Sequence, residues 1–290
     1  MTTRTQKLRQ LLAADTCHPM PCCWDGLSAK MIADAGFAFT FMSGFAVSVA
    51  RLGQPDLGLI SYGEMLDQGR NICAAVDIPV IGDGDTGYGN ALNVERTVKG
   101  YMQAGFASIM IEDQVAPKRC GHTKGKLVVE RQEALDRVRA AVNARNEADG
   151  DIMILARTDA RALHGLDEAI WRAQQFAEIG ADILFIEAPE NQDEMATLTA
   201  EAPGIHMANL VEGGTTPILP TERLHELGYS FAAYPLTLMS AAMNAIQQSL
   251  NDFANGEHPS SRILKFSELR KISGFDDYYA AEQRYSSVGR

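Results

Sequence analysis

The chain has no run of about 18 apolar residues, the length a helix needs to cross a bilayer, so no membrane span is expected. It has no basic surplus. Its 26 Lys and Arg stand against 37 Asp and Glu, and the net charge of −11 argues against nucleic-acid backbones and anionic membranes as partners. It has no disulfide framework either. Five cysteines (Cys17, Cys22, Cys23, Cys73 and Cys120) are an odd number in a long chain, which points to reduced thiols and a cytoplasmic setting. None has zinc-ligand spacing. Residues 1–12 are polar and basic and hold no secretion-signal core. No low-complexity segment divides the chain. What remains is a 290-residue, 46% hydrophobic sequence able to bury one sizeable core.

Eight short apolar runs recur along it: Met20–Trp24, Phe37–Met42, Pro79–Gly82, Ala107–Ile111, Ile152–Ala156, Ile183–Ile186, His206–Leu210 and Ser230–Tyr234. Several are apolar nearly throughout, as strands of a parallel sheet covered on both faces must be. Segments with helical spacing lie between them. Four returns to a strand carry one punctuation, a glycine just after the helix: Ala35-Gly36, Ala104-Gly105, Ile179-Gly180 and Leu227-Gly228. Eight βα units in roughly 250 residues predict a (β/α)8 barrel, with a doubly wound open sheet as the other candidate. The expected organisation is one barrel domain over 1–290. It has an N-terminal helix within 1–18 that covers the lower end, and a helical extension over 237–290 that suits contact with another subunit.

Polar groups at the C-terminal ends of barrel strands face the active site. Here they are Trp24-Asp25, Ser43-Gly44, Asp83-Gly84-Asp85, Glu112-Asp113, Arg157-Thr158-Asp159, Glu187, Asn209 and Tyr234. Each alone could be a helix cap or a turn residue; their convergence predicts an enzyme. Asp83, Asp85 and Glu112 come from adjacent strands and would make an all-oxygen pocket suited to Mg2+ or Mn2+. The Gly82-x-Gly84-x-x-Gly87 pattern is not a dinucleotide fingerprint, because two acids sit where a pyrophosphate needs neutral donors.

The most reactive-looking stretch is Lys118-Arg119-Cys120-Gly121-His122. A thiolate is stabilised by nearby positive charge. With Lys124 and Lys126 the loop holds four Lys and Arg residues and no acid through Val129, in an acidic protein. It is therefore expected to be a lid over an anionic substrate, hinged at Gly121 and Gly125. Arg157 is a candidate carboxylate clamp. Trp24 and Phe45 are expected to limit substrate shape at the mouth, and Phe41 to belong to the core.

These residues resemble the isocitrate lyase / phosphoenolpyruvate mutase superfamily over nearly the whole chain. The resemblance runs through Ser43-Gly44, Pro55-Asp56-Leu57-Gly58, Asp83-x-Asp85-x-Gly87-x-Gly89-Asn90, Glu112-Asp113-Gln114, Ala156-Arg157-Thr158-Asp159 and Glu187-Ala188. The Lys-Arg-Cys-Gly-His block is similar to the carbon–carbon lyase branch, and the segments 186–189 and 207–217 are similar to dimethylmalate, methylisocitrate and petal-death lyases. The resemblance implies a Mg2+-dependent barrel that forms a tetramer, a dimer of helix-swapped dimers. It implies that Asp83, Asp85 and Glu112 hold the metal, with Asp56 near its shell. Ser43, Gly44 and Arg157 would bind the keto-acid carboxylate. Cys120 would be the general acid/base, with Lys118, Arg119, Gly121 and His122 around it. Glu187, Asn209 and Glu212 would form the distal pocket. Some members have a tyrosine where this chain has Phe41, which leaves the acceptor of the substrate's hydroxyl proton open.

The expected reaction is cleavage of a 2-hydroxy di- or tricarboxylate, of the 2-methylisocitrate or 2,3-dimethylmalate type, to an α-keto acid such as pyruvate plus a carboxylic acid. The first alternative is oxaloacetate hydrolysis to oxalate and acetate. That reaction calls for a hydroxyl donor where Tyr234-Pro235-Leu236 offers Pro235. Phosphonomutase chemistry leaves Cys120 unused, and a silent metabolite-binding scaffold would not need the acids and the lid.

Overall fold

The computed structural model describes residues 2–121, 125–148 and 150–285. Eight parallel strands close into a barrel in sequence order: β1 (His18–Cys23), β2 (Thr40–Met42), β3 (Val80–Asp83), β4 (Ser108–Glu112), β5 (Met153–Thr158), β6 (Ile183–Ile186), β7 (Ile205–Asn209) and β8 (Phe231–Tyr234). The barrel, not the open sheet, is the fold. Strand β8 pairs back onto β1, with Phe231 opposite His18 and Tyr234 opposite Pro21.

Before β1 lies α1 (Arg4–Leu12). Between the strands run α2 (Gly26–Asp34), α3 (Gly44–Leu52), α4 (Tyr62–Ala75), α5 (Ala91–Ala104), α6 (Arg131–Glu147), α7 (Arg161–His164), α8 (Leu166–Ile179), α9 (Gln192–Glu201) and α10 (Thr221–Glu226). The four glycines of the αβ returns, Gly36, Gly105, Gly180 and Gly228, all take left-handed backbone with φ of 88°, 92°, 109° and 91°. The sequence punctuation therefore marks true helix stops.

Two apolar cores follow from the strand period of two. One lies between the sheet and the helices and takes Met42, Val80, Ile109, Ile111, Ile154 and Ala156. The other fills the barrel interior with Met20, Phe39, Phe41, Ile81, Met110, Leu155, Phe185, Met207 and Phe231. Leu8 and Leu12 of α1 belong to this second core, so α1 closes the barrel end away from the strand C-termini, as expected. One step beyond the interior apolar residues, the same parity points the strand-end groups inward. Ser43 follows Phe41, Asp83 follows Ile81, Glu112 follows Met110, Arg157 follows Leu155, Glu187 follows Phe185 and Asn209 follows Met207.

The chain divides into two compact units, Met1–Leu238 and Met239–Arg290. The second holds most of α11 (Thr237–Ala254) together with α12 (Phe266–Ile272) and α13 (Phe275–Gln283). Among the described residues no helix is long and apolar enough to cross a membrane.

Candidate active site

A cavity opens at the C-terminal ends of the strands. It is lined by Ser43, Asp56, Asp83, Arg157, Glu187 and Asn209 from the barrel, and by Lys118, Arg119, Cys120 and Gly121 from the loop after β4. Its apolar wall is Phe41, Phe45, Phe185, Met207, Val211, Pro235 and Leu236. Phe41 is thus both core and wall.

Some expected residues sit apart from this lining. Trp24 packs on the core between sheet and helices. Strand β1 ends at Cys23, and Asp25 caps α2 by accepting from the Ser28 amide, so the chain has turned out of the barrel before Trp24 can face inward. Glu212 is exposed and accepts a hydrogen bond from the Thr237 hydroxyl. Gly44 supports the site from below: its N–H donates to Asp83 Oδ2 at 3.1 Å, and a Cβ there would lie 2.4 Å from that oxygen. His122 lies outside the described residues. Asp85 takes positive φ (47°) and lines a neighbouring cavity with Tyr62 and Tyr88, while Asp83 lines the main one; Lys118 lines both.

The electrostatics are dominated by buried acid. Among the described residues Asp56, Asp83, Asp85, Glu112, Asp113, Asp159 and Glu187 are buried, against Lys118, Lys126, Arg137, Arg157 and Arg172. Burial, reinforced by the Asp85 charge, pushes the Asp83 carboxyl up to about 6. Burial also raises Glu112, against the pull of Arg157, and raises Asp56, against the pull of Lys118. Asp159 goes the other way. Burial opposes its charge, but Arg157 and Lys126 outweigh burial and hold it at about 2.

Each cation is committed. Lys118 Nζ lies 2.7 Å from Asp56 and 2.9 Å from Asp85. Burial alone would strip its proton; Asp85, Asp83, Asp56 and Glu112 together hold it on. Arg157 contacts Asp159 (2.8 Å), Glu187 (3.1 Å) and Glu112 (3.3 Å). Lys118 is therefore paired with acids, and Arg157 is a hub for three carboxylates as well as a cavity wall.

The Cys120 loop is a braced structure. Val115 N–H donates to the Leu127 carbonyl and Val129 N–H to the Asp113 carbonyl, so its two stems pair antiparallel. The buried Gln114 amide clamps the Arg119 backbone through both its N–H and its carbonyl, each at 2.9 Å. Gly121 lies so close over the Arg157–Glu187 pair that a Cβ would meet Arg157 Nη2 at 2.5 Å and Glu187 Oε2 at 2.6 Å. Sequence reasoning saw Lys126 and Asp159 only as a loop charge and a strand-end acid. Their ion pair at 2.9 Å joins the loop to the barrel. Ala188, beside Glu187, holds a strained φ of 60°, a feature no local pattern announces.

The residues fit a hard divalent cation. Carboxylates exceed cations, and Glu112 Oε1 is buried without a hydrogen-bond partner. Among the described residues no three acidic, imidazole or thiol groups form a closed ligand set.

The phosphoenolpyruvate phosphomutase family matches residues 8–254. The chain belongs to the phosphoenolpyruvate mutase/isocitrate lyase superfamily. It is an enzyme of that superfamily's lyase type. It is 40% identical to a 2,3-dimethylmalate lyase of Eubacterium barkeri, covering 97% of this chain and 98% of that one. It is 38% identical to a probable 2-methylisocitrate lyase of Corynebacterium glutamicum, covering 98% and 92%. Among solved structures, an oxaloacetate acetylhydrolase with the inhibitor 3,3-difluorooxalacetate superposes with a TM-score of 0.94 at 32% identity, covering 100% and 99%. A phosphonopyruvate hydrolase in complex with oxalate and Mg2+ gives 0.85 at 29%, covering 98% and 99%, so Mg2+ occurs in the superfamily.

The Gly121 contact yields a direct test. Gly121→Ala should lower kcat about 10- to 100-fold, the scale of a misplaced reacting group, and should lower Tm as well, because the added methyl presses on the buried Arg157–Glu187 pair. Wild-type kcat in this variant would show that the close approach to Arg157 and Glu187 has no bearing on turnover.

Proposed function

We propose that the chain is a Mg2+-dependent carbon–carbon lyase that cleaves a 2-hydroxy di- or tricarboxylate of the 2-methylisocitrate or 2,3-dimethylmalate type. The products would be an α-keto acid such as pyruvate and a carboxylic acid. The observation that carries this reading is the composition of the cavity: the acids Asp56 and Asp83, the Cys120 segment and an apolar wall line one space.

Asp83, Asp85 and Glu112, with Asp56 nearby, are the residues that would hold Mg2+. When bound, the ion supplies a Lewis acid that stabilises negative charge developing on the substrate oxygen. The chain's own groups do the rest. Ser43 and the start of α3 receive the keto-acid carboxylate, together with Arg157. The C2–C3 bond breaks as C2 becomes a carbonyl; the hydroxyl proton passes to a cavity carboxylate outside the metal set, Asp56. The electron pair stays on C3, and the Cys120 thiol donates its proton there. Glu187 and Asn209, with Asn209 Nδ2 3.2 Å from Glu187 Oε2, shape the distal pocket. Gly121, Arg119 and the loop stems exclude water that would otherwise protonate the carbanion without control.

Oxaloacetate hydrolysis is the second reading, favoured by the acetylhydrolase superposition. The wall argues against it: Pro235 and Leu236 line the cavity without a hydroxyl, and the Thr237 hydroxyl is spent on Glu212. A wall of this kind suits substrate methyl groups, each able to discriminate by about 1–3 kcal/mol.

The assembly is proposed to be a homotetramer of helix-swapped dimers, acting in the cytoplasm. Met243, Ile246, Leu250 and Phe253 form a stripe at helical spacing on α11 and are 53–60% exposed in the single chain. Such a stripe calls for a covering surface.

Incubation with Mg2+ and a panel of 2-methylisocitrate, isocitrate, 2,3-dimethylmalate, citramalate and oxaloacetate should release a keto acid from a branched hydroxy acid. In Cys120→Ser that rate should fall at least about 100-fold while oxalate and Mg2+ still bind by calorimetry. Oxalate formed from oxaloacetate alone would replace the lyase reading with the hydrolase one.

The acid cluster predicts a pH-dependent metal effect. A carboxyl raised to about 6 means that the metal-free fold holds a proton the unfolded chain loses near 4. Metal-free stability should therefore fall as pH rises from about 4 to 6, and protons should compete with the metal below 6. Mg2+ should raise Tm more at pH 7.5 than at pH 5.5; equal increments would remove Asp83 from the metal site.

Light scattering after size exclusion should give a tetramer, and Ile246→Glu with Leu250→Glu should yield smaller species. A monomeric wild type would overturn the assembly.

A further inference from the structure

We propose that Lys126 is a positioning residue for the Cys120 segment, fixing the backbone that carries the thiol onto the Arg157 hub. It deepens the reading above and rests on Cys120 working inside this cavity. Lys126 comes from a loop with an excess of positive charge, yet it is only 5% exposed. A lysine in a solvated loop would not be buried. Its ammonium donates to the Gly121 carbonyl at 2.5 Å and to Asp159 Oδ1 at 2.9 Å.

Both partners point to the reacting groups. Gly121 follows Cys120 directly and rests against Arg157 and Glu187. Asp159 receives Arg157 Nε at 2.8 Å and Nη2 at 3.0 Å, and its own N–H donates to Asp113 Oδ1. Lys126 is thus the bridge between the peptide next to the thiol and the acid that orients the guanidinium. It is itself held firmly, because the next residue, Leu127, accepts from Val115 in the paired stems. Two groups therefore set where Cys120 sits: Gln114 from the Arg119 side and Lys126 from the Gly121 side. Gln114 acts on the residue before the thiol and Lys126 on the one after it. Removing either should let the thiol shift by the ångström or so that misplaces a proton donor.

Ser43 and Asp83 line the cavity, and Lys126 is not part of that lining. Loss of Lys126 should therefore act on kcat much more than on KM.

The test uses Lys126→Met, Lys126→Gln and Lys126→Arg with two readouts. One is steady-state kinetics on the substrate found in the product panel. The other, which needs no turnover, is the rate of Cys120 alkylation by iodoacetamide in the presence of saturating oxalate and Mg2+, followed by peptide mass spectrometry. Cys17, Cys22, Cys23 and Cys73 are buried, so their failure to react reports an intact fold in the same experiment. Lys126→Met should lower kcat at least tenfold with KM within threefold, and should speed Cys120 alkylation at least tenfold while the other four thiols stay protected. Lys126→Gln keeps a donor for Gly121 and should fall between, and Lys126→Arg should recover most of both values. If the Met variant exposes all five thiols, the Gln variant is read by the same criteria. Unchanged Cys120 alkylation in a folded Met or Gln variant, whatever happens to kcat, overturns the proposal. Fast alkylation with normal kcat would instead sink the role of Cys120 and leave the positioning intact.

Discussion

One guanidinium holds the site together. Arg157 leaves the end of β5 and meets Glu112 from β4, Glu187 at the end of β6 and Asp159 two residues further along its own chain. All four groups are buried. Three like charges at that spacing would repel strongly in a low-dielectric interior, so the barrel can gather them only around a cation that is never neutral. Removing the partner of a buried ion pair typically costs about 3–5 kcal/mol. The arrangement is therefore an obligation of the fold as much as a feature of the chemistry. Arg157 also stacks 5.2 Å from the Phe185 ring centre, which fixes its plane.

Around that hub the barrel works in two layers. Inward parity places Phe41, Ile81, Met110, Leu155, Phe185 and Met207 below, and Ser43, Asp83, Glu112, Arg157, Glu187 and Asn209 above. The lower layer is buried and apolar, and this is why the upper one is so strongly perturbed. Asp83 sits on apolar packing with Asp85 nearby, and burial raises it even though Gly44 and Asp85 donate N–H groups to it. The acids remain in excess over the cations, and a substrate with two or three carboxylates would add to the imbalance. A divalent ion and protons are the two ways to relieve it, and they compete for the same oxygens.

The strand ends were legible in the sequence because parallel strands covered on both faces leave uninterrupted apolar runs, and the first polar residue after each run has few places to go. The four glycine returns were legible because a left-handed stop admits little else. Trp24 was misplaced for a local reason: the Asp25 cap of α2 turns the chain outward one residue early. Glu212 lies on a loop whose path no periodicity constrains. The pairings of Lys118 and Lys126 were illegible because they depend on how the loop after β4 folds back on itself. A run of cations looks the same in sequence whether it is solvated or clamped. The left-handed residues Asp85, Tyr88 and Ala188 were illegible because only tertiary packing forces a non-glycine residue there.

That last difference alters what the basic loop is for. Read as a string, Lys118, Arg119, Lys124 and Lys126 surround a thiol and seem placed to bring out its anion. In the fold, Lys118 is neutralised by Asp56 and Asp85, Lys126 by Asp159, and Arg119 is held through its backbone by Gln114. The Lys118 and Lys126 charges are spent on fixing a short stretch of chain over buried acid. A residue that must deliver a proton to one face of a short-lived carbanion gains more from a fixed position than from a raised nucleophilicity. The loop therefore works through two electrostatic anchors, Lys118 on Asp56 and Asp85 and Lys126 on Asp159, with Cys120 carried between them.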